Sequence, residues 1–317
     1  MVETSGNQRH IGSDTMDGKC KLRFLITGGS GLLGSKVAEK AILEGHEVYS
    51  GFNQHEARTG IPIKLDLSNQ QNIAEVFDLI KPEIVVHAGA ISNVDKCEEN
   101  KELAWTINVD GTKHIVEHSR EHKVFLIYVS TDYVFSGKKG MYTENDETKP
   151  INYYGKTKLE GEKIVRNFIP EWCIKRPSVI YGSAPAAGKI NFALWVIDKL
   201  RKGEQIKIIT DQCISPTFNT NLAEMIIEVA QRHLTGIYHL AGATSLSRYD
   251  FACLIAEAFD LDKNLIKPAK SEEMNWKAKR PKNTSLIVDK ASRELSKKPL
   301  KIEDALNQLR KELMTEK

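Results

Sequence analysis

Hydrophobic residues in the first half of the chain follow two alternating patterns. Short, almost wholly apolar runs predict strands that are buried on both faces, as in a parallel sheet. Segments in which apolar residues recur every three or four positions predict amphipathic helices. The runs lie at residues 21–27, 47–50, 63–65, 83–88 and 124–129, and the helical segments at 32–44, 73–80 and 102–121. This alternation implies crossover connections and a doubly wound parallel sheet of the Rossmann type, an α/β fold.

The second half of the chain contains fewer strand patterns. It predicts helices at residues 190–200 and 221–229, and strands at 206–209 and 236–240. Ser247 and Asp250 have the spacing of a capping box, which predicts a further helix that continues to Phe259. We therefore expect a smaller C-terminal substructure beside the doubly wound sheet.

Composition and charge narrow the class of protein. The 317 residues can bury a full core, and 41% hydrophobic and 27% charged residues are globular values. A net charge of +3 without a long basic run argues against nucleic acid as a partner. No apolar segment approaches the length of a membrane span, so no membrane partner is expected. An odd number of widely spaced cysteines fits a reducing cytoplasm better than a disulfide framework; they are Cys20, Cys97, Cys173, Cys213 and Cys253.

A glycine-rich turn follows the first predicted strand. Its glycines are spaced Gly28-x-x-Gly31-x-x-Gly34. Gly28 permits a tight turn, Gly31 lets the backbone approach a pyrophosphate, and Gly34 allows the next helix to pack closely. The helix N-terminus stabilises the phosphate charge. In such a sheet, ligands bind beyond the carboxyl ends of the strands. The predicted dinucleotide contacts are Gly28, Ser30, Gly31, Leu32, Leu33, Ala88, Gly89 and Ala90.

The end of the second strand indicates which nicotinamide cofactor is bound. An NAD enzyme usually has an acidic residue there to bind the adenosine ribose hydroxyls. No acid stands at that place, and Asn53 and Arg58 follow instead. A ribose 2′-phosphate would suit these side chains, so we predict NADPH, with NADH as the alternative. Asp66 and Leu67 follow the third strand and are expected near the adenine.

Tyr154 and Lys158 are four residues apart in Tyr154-Gly155-Lys156-Thr157-Lys158. On a helix they project from one face, one turn apart. A lysine ammonium beside the phenol is expected to lower its pKa towards working pH, so that Tyr154 can transfer a proton. With the glycine turn, this pair predicts a nicotinamide-dependent oxidoreductase. We assign an N-terminal flexible extension to residues 1–20, the cofactor-binding Rossmann domain to 21–176, and a mainly substrate-binding part to 177–317, some segments of which return to the sheet.

Several motifs together resemble the dTDP-4-dehydrorhamnose reductase family, within the extended short-chain dehydrogenases that act on nucleotide sugars. The discriminating block is Ser130-Thr131-Asp132-Tyr133-Val134-Phe135. Related dehydratases have an acidic residue after the Thr-Asp pair, where this chain has Tyr133, so the resemblance implies simple carbonyl reduction. The other matching blocks are Gly28 to Gly34, Ser92 to Glu98, Asn108-Val109-x-Gly111-Thr112, Tyr154 to Glu162, Arg176-Pro177-x-x-x-Tyr181-Gly182, Pro216-Thr217 and Arg280-Pro281-x-Asn283.

The resemblance also implies residue roles in the reduction of a 4-keto-6-deoxy sugar nucleotide. Thr131 would bind the oxygen at sugar C4, Tyr154 would protonate it, and Lys158 would bind the nicotinamide ribose. Asn108 would support the lysine region, and Arg280 with its neighbouring lysines would face the diphosphate. The residues expected to contact substrate are Ser92, Val94, Asp95, Thr131, Tyr133 and Arg280.

Two other functions remain open. A non-catalytic branch of the family serves as the regulatory subunit of methionine adenosyltransferase and retains the same motifs. A reductase or epimerase of another 4-keto sugar nucleotide is the third reading. The base, the sugar and the product stereochemistry are not encoded in any of these motifs.

Two further features concern metal binding and dimer formation. His114, His118 and His122 lie on one predicted helix face but lack a carboxylate or cysteine partner in that pattern, so we predict no functional metal site. Some bacterial family members use a glutamate after the glycine turn to bind magnesium at a dimer interface. This chain has Lys36 there, so we expect no magnesium-linked dimer of that type. A homodimer formed through other contacts is the alternative.

Overall fold

A computed structural model describes residues 21–185 and 190–315 of the chain. Its centre is a seven-stranded sheet in the order β11-β6-β5-β4-β1-β2-β3, in which every neighbouring pair is parallel. The predicted extension at residues 1–20 lies outside the described residues. The strands of this sheet are β1 Arg23–Thr27, β2 Glu47–Phe52, β3 Ile61–Lys64, β4 Ile84–His87, β5 Phe125–Val129, β6 Trp172–Lys175 and β11 Gly236–Tyr238.

Helices cover both faces of the sheet, as the alternating patterns predict. Phe24 and Ile26 of β1 point to one face, where they join a core with α1 and α8. Leu25 points to the other face, where the core includes residues of α2 and α5. The helices of the sheet layer are α1 Gly34–Leu43, α2 Gln70–Ile80, α3 Val94–Glu99, α4 Lys101–Trp105, α5 Gly111–Glu121, α6 Tyr153–Phe168 and α8 Asn219–Gln231.

The helix predicted at residues 102–121 differs from a regular α-helix. A π-helical turn, Thr106–Asp110, separates α4 from α5. Its central residue, Asn108, is buried and fully engaged in hydrogen bonds to Ile91 and Thr157. Hydrophobic periodicity does not report such a turn, because the apolar stripe continues through it. π-Turns are frequently found at functional sites.

The C-terminal substructure has its own core. Val196, Phe251 and Leu306 belong to a buried cluster that is separate from the sheet layers. Ser247 caps α9 by accepting from the Asp250 N–H at 3.0 Å, which confirms the predicted helix start. The elements here are β7 Ile180–Tyr181, α7 Phe192–Arg201, β8 Ile206–Ile209, β9 Cys213–Ile214, β10 Thr217–Phe218, β12 Leu246–Ser247, α9 Arg248–Ala258, β13 Ile266–Ala269 and α11 Ile302–Thr315. Helix α10 Asp289–Glu294 instead packs on the core of the sheet layer through Ala291.

Segments after residue 177 also contribute to the sheet layer. β11 pairs with β6 at the edge of the sheet, and α8 packs on α1. No helix among the described residues is long and apolar enough to cross a membrane.

Candidate active site

A cleft of about 640 Å³ opens beyond the carboxyl ends of β1, β4 and β5. One end is the glycine turn, and the other is the first part of the C-terminal substructure. Gly31, Thr131, Tyr154 and Lys158 all line it, so residues from three separate motifs meet in one place. The predicted residues that line the cleft are Gly28, Ser30, Gly31, Leu32, Leu33, Ala88, Ala90, Ser92, Val94, Thr131, Tyr133, Tyr154 and Lys158.

The glycine turn is too tight for side chains. Gly28 has φ +69°, and a Cβ there would lie 2.8 Å from the Cα of Gly89. A Cβ on Gly34 would lie 2.2 Å from the carbonyl oxygen of Gly28. The Gly31 N–H donates to that same oxygen at 2.9 Å. Bare backbone therefore borders the cleft at the start of α1, which suits the close approach of a pyrophosphate.

The two residues predicted to contact the adenosine ribose do not line the cleft themselves. Gln54 and His55 line the cleft, whereas Asn53 and Arg58 are exposed beside it. The Asn53 Oδ1 accepts from Lys64 Nζ at 3.1 Å. His55 was not among the predicted contacts, and no pattern in the sequence distinguished it from an ordinary loop residue.

The predicted adenine contacts do not line the cleft. The Asp66 carboxylate accepts from the backbone N–H of Ser68 at 2.9 Å and from its hydroxyl at 2.7 Å. Leu67 is buried, and its side chain lies against Gly89. Gly89 does not line the cleft, but its N–H donates to Thr27 Oγ1 at 2.9 Å, which fixes the loop after β4. The cofactor roles of Asp66 and Leu67 stay predictions.

The helix that carries Tyr154 and Lys158 starts at a well-defined cap. Asn152 Oδ1 accepts from the Gly155 N–H at 2.9 Å, and Asn152 Nδ2 donates to the carbonyl of Lys279 at 3.0 Å. Side-chain capping of this kind stabilises a helix by about 1 kcal/mol. A Cβ on Gly155 would lie 2.2 Å from the carbonyl oxygen of Tyr133. Glycine at this position lets the helix approach the β5 loop and fixes where Tyr154 points.

Tyr154 lies beside Thr131 and Tyr133. Thr131 and Tyr154 both line the cleft, and the Tyr154 ring meets that of Tyr133 edge-on, with centroids 6.1 Å apart. Burial raises the pKa of Tyr154 above its ordinary value, and the neighbouring Thr131 hydroxyl only partly offsets this. The expectation that Lys158 would lower the pKa of Tyr154 is therefore wrong for the free protein, because desolvation of the phenolate dominates. Tyr154 holds its proton at neutral pH.

Lys158 is one turn further along the helix and is 3% exposed. Burial lowers the pKa of its ammonium to about 7, and the Glu162 carboxylate opposes that shift. Its Nζ lies 4.1 Å from the centre of the Tyr128 ring. The predicted cofactor-binding lysine therefore gains or loses its charge close to neutral pH.

Asp132 anchors the Thr131 loop from behind. Its carboxylate accepts from Thr131 Oγ1 at 3.0 Å, Ser178 Oγ at 2.7 Å and Thr284 Oγ1 at 2.6 Å. Burial raises the pKa of this carboxyl, and the three hydroxyl donors oppose the rise. Two of the donors, Ser178 and Thr284, come from the second half of the chain. Asp132 therefore links that half to the loop that carries Thr131.

A buried ion pair supports the same loop. Arg176 donates from Nε and Nη2 to both oxygens of Glu162, at 2.9 and 2.7 Å. Ser130 Oγ donates to Glu162 Oε1 at 2.6 Å. Both ionic side chains are almost fully buried. This pair connects α6, which carries Tyr154 and Lys158, to the ends of the neighbouring strands β5 and β6.

Asp95 and Arg280, both predicted to contact substrate, bind each other. Arg280 Nη2 donates to Asp95 Oδ2 at 2.9 Å, and the guanidinium lies over the Trp276 ring. Burial alone would raise the pKa of Asp95, but backbone N–H donors from Ala278 and Lys277 and the charge of Arg280 outweigh it and lower that pKa. The neighbouring lysines are exposed; they are Lys277, Lys279 and Lys282.

A second arginine near the cleft was missed by the sequence analysis. Arg248 donates to the side-chain oxygen of Gln212, and Gln212 Nε2 lies 3.5 Å from the Tyr133 hydroxyl. Burial raises the pKa of Tyr133, and the charges of Arg248 and Arg280 oppose this. Within the described part of the chain, Arg248 has no carboxylate partner. Nothing in its local sequence pattern marked it as more than a helix-start residue.

The histidines of α5 do not converge. His114 lies near Glu117 at 3.4 Å, His118 near Glu121 at 2.9 Å and His122 near Asp78 at 3.4 Å. No group of three or more metal-ligating side chains comes together within residues 21–185 and 190–315.

Lys36 lies outside the cleft, on α1. It forms ion pairs with Glu39 at 2.9 Å and Glu312 at 3.8 Å. Its contacts thus join the first helix to the last.

Comparison with known proteins agrees with this geometry. A probable low-salt glycan biosynthesis reductase of Haloferax volcanii is 31% identical over 284 residues, covering 89% of this chain and 95% of the relative. The methionine adenosyltransferase 2 subunit beta of Danio rerio is 29% identical over 272 residues, covering 83% and 82%. The crystal structure of dTDP-4-dehydrorhamnose reductase from Bacillus anthracis in complex with NADP superimposes with a TM-score of 0.84 at 30% identity, covering 92% of this chain and 99% of that one. The model of the RmlD substrate binding domain matches residues 22–315, so the chain belongs to the RmlD family.

Proposed function

We propose that the protein reduces the C4 keto group of a nucleotide-activated 4-keto-6-deoxy sugar with NADPH, as a reductase of the dTDP-L-rhamnose type. One observation carries the proposal: Thr131 and Tyr154 line the same cleft as the glycine turn. A carbonyl held by that pair would lie within reach of a dinucleotide bound along the turn.

The residues of the cleft fit a nicotinamide dinucleotide. The side-chain-free turn at Gly28 and Gly31 would hold the pyrophosphate, and Lys158 would donate to the hydroxyls of the nicotinamide ribose. Arg58 and Gln54 are available to a ribose 2′-phosphate at the other end. Bound NADPH supplies the hydride for the reaction.

Tyr154 would act as the general acid. Its raised pKa keeps the phenol protonated at neutral pH, so it can donate a proton to the C4 oxygen as negative charge develops there. Thr131 would hydrogen-bond the same oxygen. Lys158 would stabilise the phenolate that remains. The carboxylate of Asp132 is occupied by Thr131, Ser178 and Thr284, which supports reduction without an additional acid-driven elimination.

Arg248 and Arg280 would bind the substrate diphosphate. The positive charges of both guanidinium groups lower the pKa of Tyr133, opposing the effect of its burial. The Tyr133 ring in turn lies edge-on to that of Tyr154. In a bound sugar nucleotide the diphosphate lies one sugar ring away from C4, so it would extend from Tyr154 past Tyr133 towards these charges. Charge-assisted hydrogen bonds to phosphate oxygens are the strong contacts expected of arginine.

The similarity to a methionine adenosyltransferase subunit supports a second candidate, an NADP-binding regulatory subunit. Such a subunit would bind NADPH in the same cleft without turnover. The Thr131–Tyr154 pair favours the reductase.

The four described cysteines are free thiols, which supports a reducing, cytoplasmic location.

The direct test is NADPH oxidation with a panel of dTDP-, GDP- and UDP-linked 4-keto-6-deoxy sugars. The reductase predicts turnover with at least one member and loss of that turnover in Tyr154→Phe. Tight NADPH binding with no turnover on any member would reject the reductase and favour the regulatory role.

A further inference from the structure

The Lys158 ammonium has an unusual set of neighbours. It is almost fully buried, yet among the described residues its Nζ makes no hydrogen bond and lies in no ion pair. The face of the Tyr128 ring lies next to its charge, with the centroid 4.1 Å from Nζ. A buried ammonium without a partner would be costly, so this ring contact is energetically significant.

The Tyr128 ring is held in place from several sides. It is 0% exposed, and its hydroxyl donates to the Lys158 carbonyl at 3.4 Å. A Cβ on Gly161 would lie 2.1 Å from the Tyr128 oxygen, so only glycine leaves room for it. The His87 ring lies on another side, with ring centroids 5.6 Å apart. The platform under Lys158 is therefore rigid.

His87 is held neutral by a directed chain of hydrogen bonds. Thr112 Oγ1 donates to the carbonyl of Asn108 at 2.7 Å, so it accepts from His87 Nε2, 3.0 Å away. His87 Nδ1 then accepts from Thr27 Oγ1 at 2.7 Å. Burial, with the nearby charge of Lys158, lowers the pKa of His87 to about 3. No positive charge from this side competes with Lys158.

We propose that Tyr128 is a positioning residue for the cofactor site: its ring face stabilises the Lys158 ammonium and leaves all three N–H donors free for the cofactor ribose and the reaction centre. A carboxylate in the same place would neutralise the charge and occupy donors. The aromatic face does neither, because it acts through its quadrupole. This inference rests on the proposed function only in assigning Lys158 to the cofactor.

The proposal has a defined pH signature. Cofactor binding requires the charged lysine, so NADPH affinity falls as pH rises through the pKa of Lys158, which burial lowers to about 7. Loss of the ring face removes stabilisation of the ammonium and moves this midpoint to lower pH. Other titratable groups face Lys158 from the elements around it and are unchanged in the variants below; they are His87 on β4, Cys97 on α3, and Tyr154 and Glu162 on α6.

The test is the dissociation constant of NADPH, measured by fluorescence between pH 5.5 and 9 on the full chain. Tyr128→Phe retains the ring and should leave the midpoint in place. Tyr128→Leu should lower it by about one pH unit, the shift expected from a desolvated cation–π contact. Because that variant can lose stability, Tyr128→Phe with one, two and three ring fluorines provides a second series of nearly constant shape. The midpoint should fall stepwise as fluorine weakens the ring face.

Tyr238→Leu is the matched control. Its ring also lies under a buried lysine, with Lys175 Nζ 4.2 Å from the centroid, but Lys175 does not line the cleft, whereas Lys158 does. This variant should leave the NADPH midpoint unchanged. A midpoint that stays fixed in Tyr128→Leu and across the fluorinated series would overturn the proposal, as would pH-independent NADPH binding by the unaltered protein. Absence of sugar-nucleotide turnover would reject the proposed reductase but not this assignment, because the readout is binding.

Discussion

Arg280 and Asp95 form an ion pair across 2.9 Å, although 185 residues separate them in the chain. The Asp95 carboxylate also accepts from the N–H groups of Lys277 and Ala278. One carboxylate therefore fastens the segment around Arg280 to the start of α3, at the substrate side of the cleft. A substrate diphosphate would have to compete with Asp95 for Arg280, whereas Arg248 carries no such partner in the described structure.

The pair predicts opposite effects for its two members. Arg280→Ala should raise KM for the sugar nucleotide by about one to two orders of magnitude, because a charge-assisted contact of about 1.5–3 kcal/mol is lost. Asp95→Asn should leave KM equal or lower, since it frees the guanidinium. Steady-state kinetics with NADPH saturating would check both. A KM within twofold of the unaltered protein in Arg280→Ala would show that Arg280 is not a substrate ligand.

Tyr154→Phe should retain NADPH affinity and lose at least about a hundredfold in kcat, the usual contribution of a positioned general acid. The hydroxyl is the only group removed, and the ring still fills the space beside Tyr133. Single-turnover rates and cofactor titration separate the two effects. Unchanged turnover would exclude Tyr154 as the proton donor.

The cofactor preference depends on the loop after β2. NADPH should bind more tightly than NADH. Arg58→Ala should reduce this difference by lowering the affinity for NADPH alone, because Arg58 is a charged group available to the 2′-phosphate. Titration of both cofactors against both proteins measures the ratio. Glu56→Gln in the same exposed loop serves as a control for general changes in charge. A preference for NADH in the unaltered protein would contradict the prediction.

Glu162→Gln should destabilise the fold by about 3–5 kcal/mol, because Arg176 would remain buried without its charged partner. Urea unfolding at neutral pH gives the free energy of unfolding. Glu160→Gln lies on the same helix, and in the described part of the chain Glu160 pairs with the exposed Lys163. This variant should change the free energy of unfolding by less than about 1 kcal/mol. Equal effects in the two variants would mean that the buried pair contributes no more than a surface pair.

Stability should fall as pH drops from 7 to 5. Burial lowers the pKa of His87 and of His239 to about 3, while the unfolded chain titrates near 6.5. Between those values the unfolded state binds protons that the folded state does not, so protonation favours unfolding. Each histidine should contribute a loss of about 2 kcal/mol between pH 7 and pH 5. His239→Gln should remove the contribution of this one histidine from the pH dependence of the free energy of unfolding. An unchanged pH dependence would argue against a buried neutral imidazole at this position.

Local sequence patterns determined much of the fold and part of the site. The apolar runs predicted the parallel strands, and the glycine spacing predicted the turn, because strand burial and backbone clearance depend on neighbouring residues. The four-residue spacing of Tyr154 and Lys158 likewise placed both side chains on one helix face. The cap at Ser247 was predicted for the same reason.

Tertiary structure alone decided which charges are paired and how the reactive groups titrate. Hydrophobic periodicity continues through Asn108 without revealing the π-turn, and Arg248 has no local feature that sets it apart. Burial of Tyr154 by segments distant in sequence raises its pKa, whereas the spacing of Tyr154 and Lys158 alone predicted a lowered pKa. Desolvation and long-range ion pairs arise only when the chain brings remote residues together, whereas periodicity and turn geometry are properties of contiguous residues.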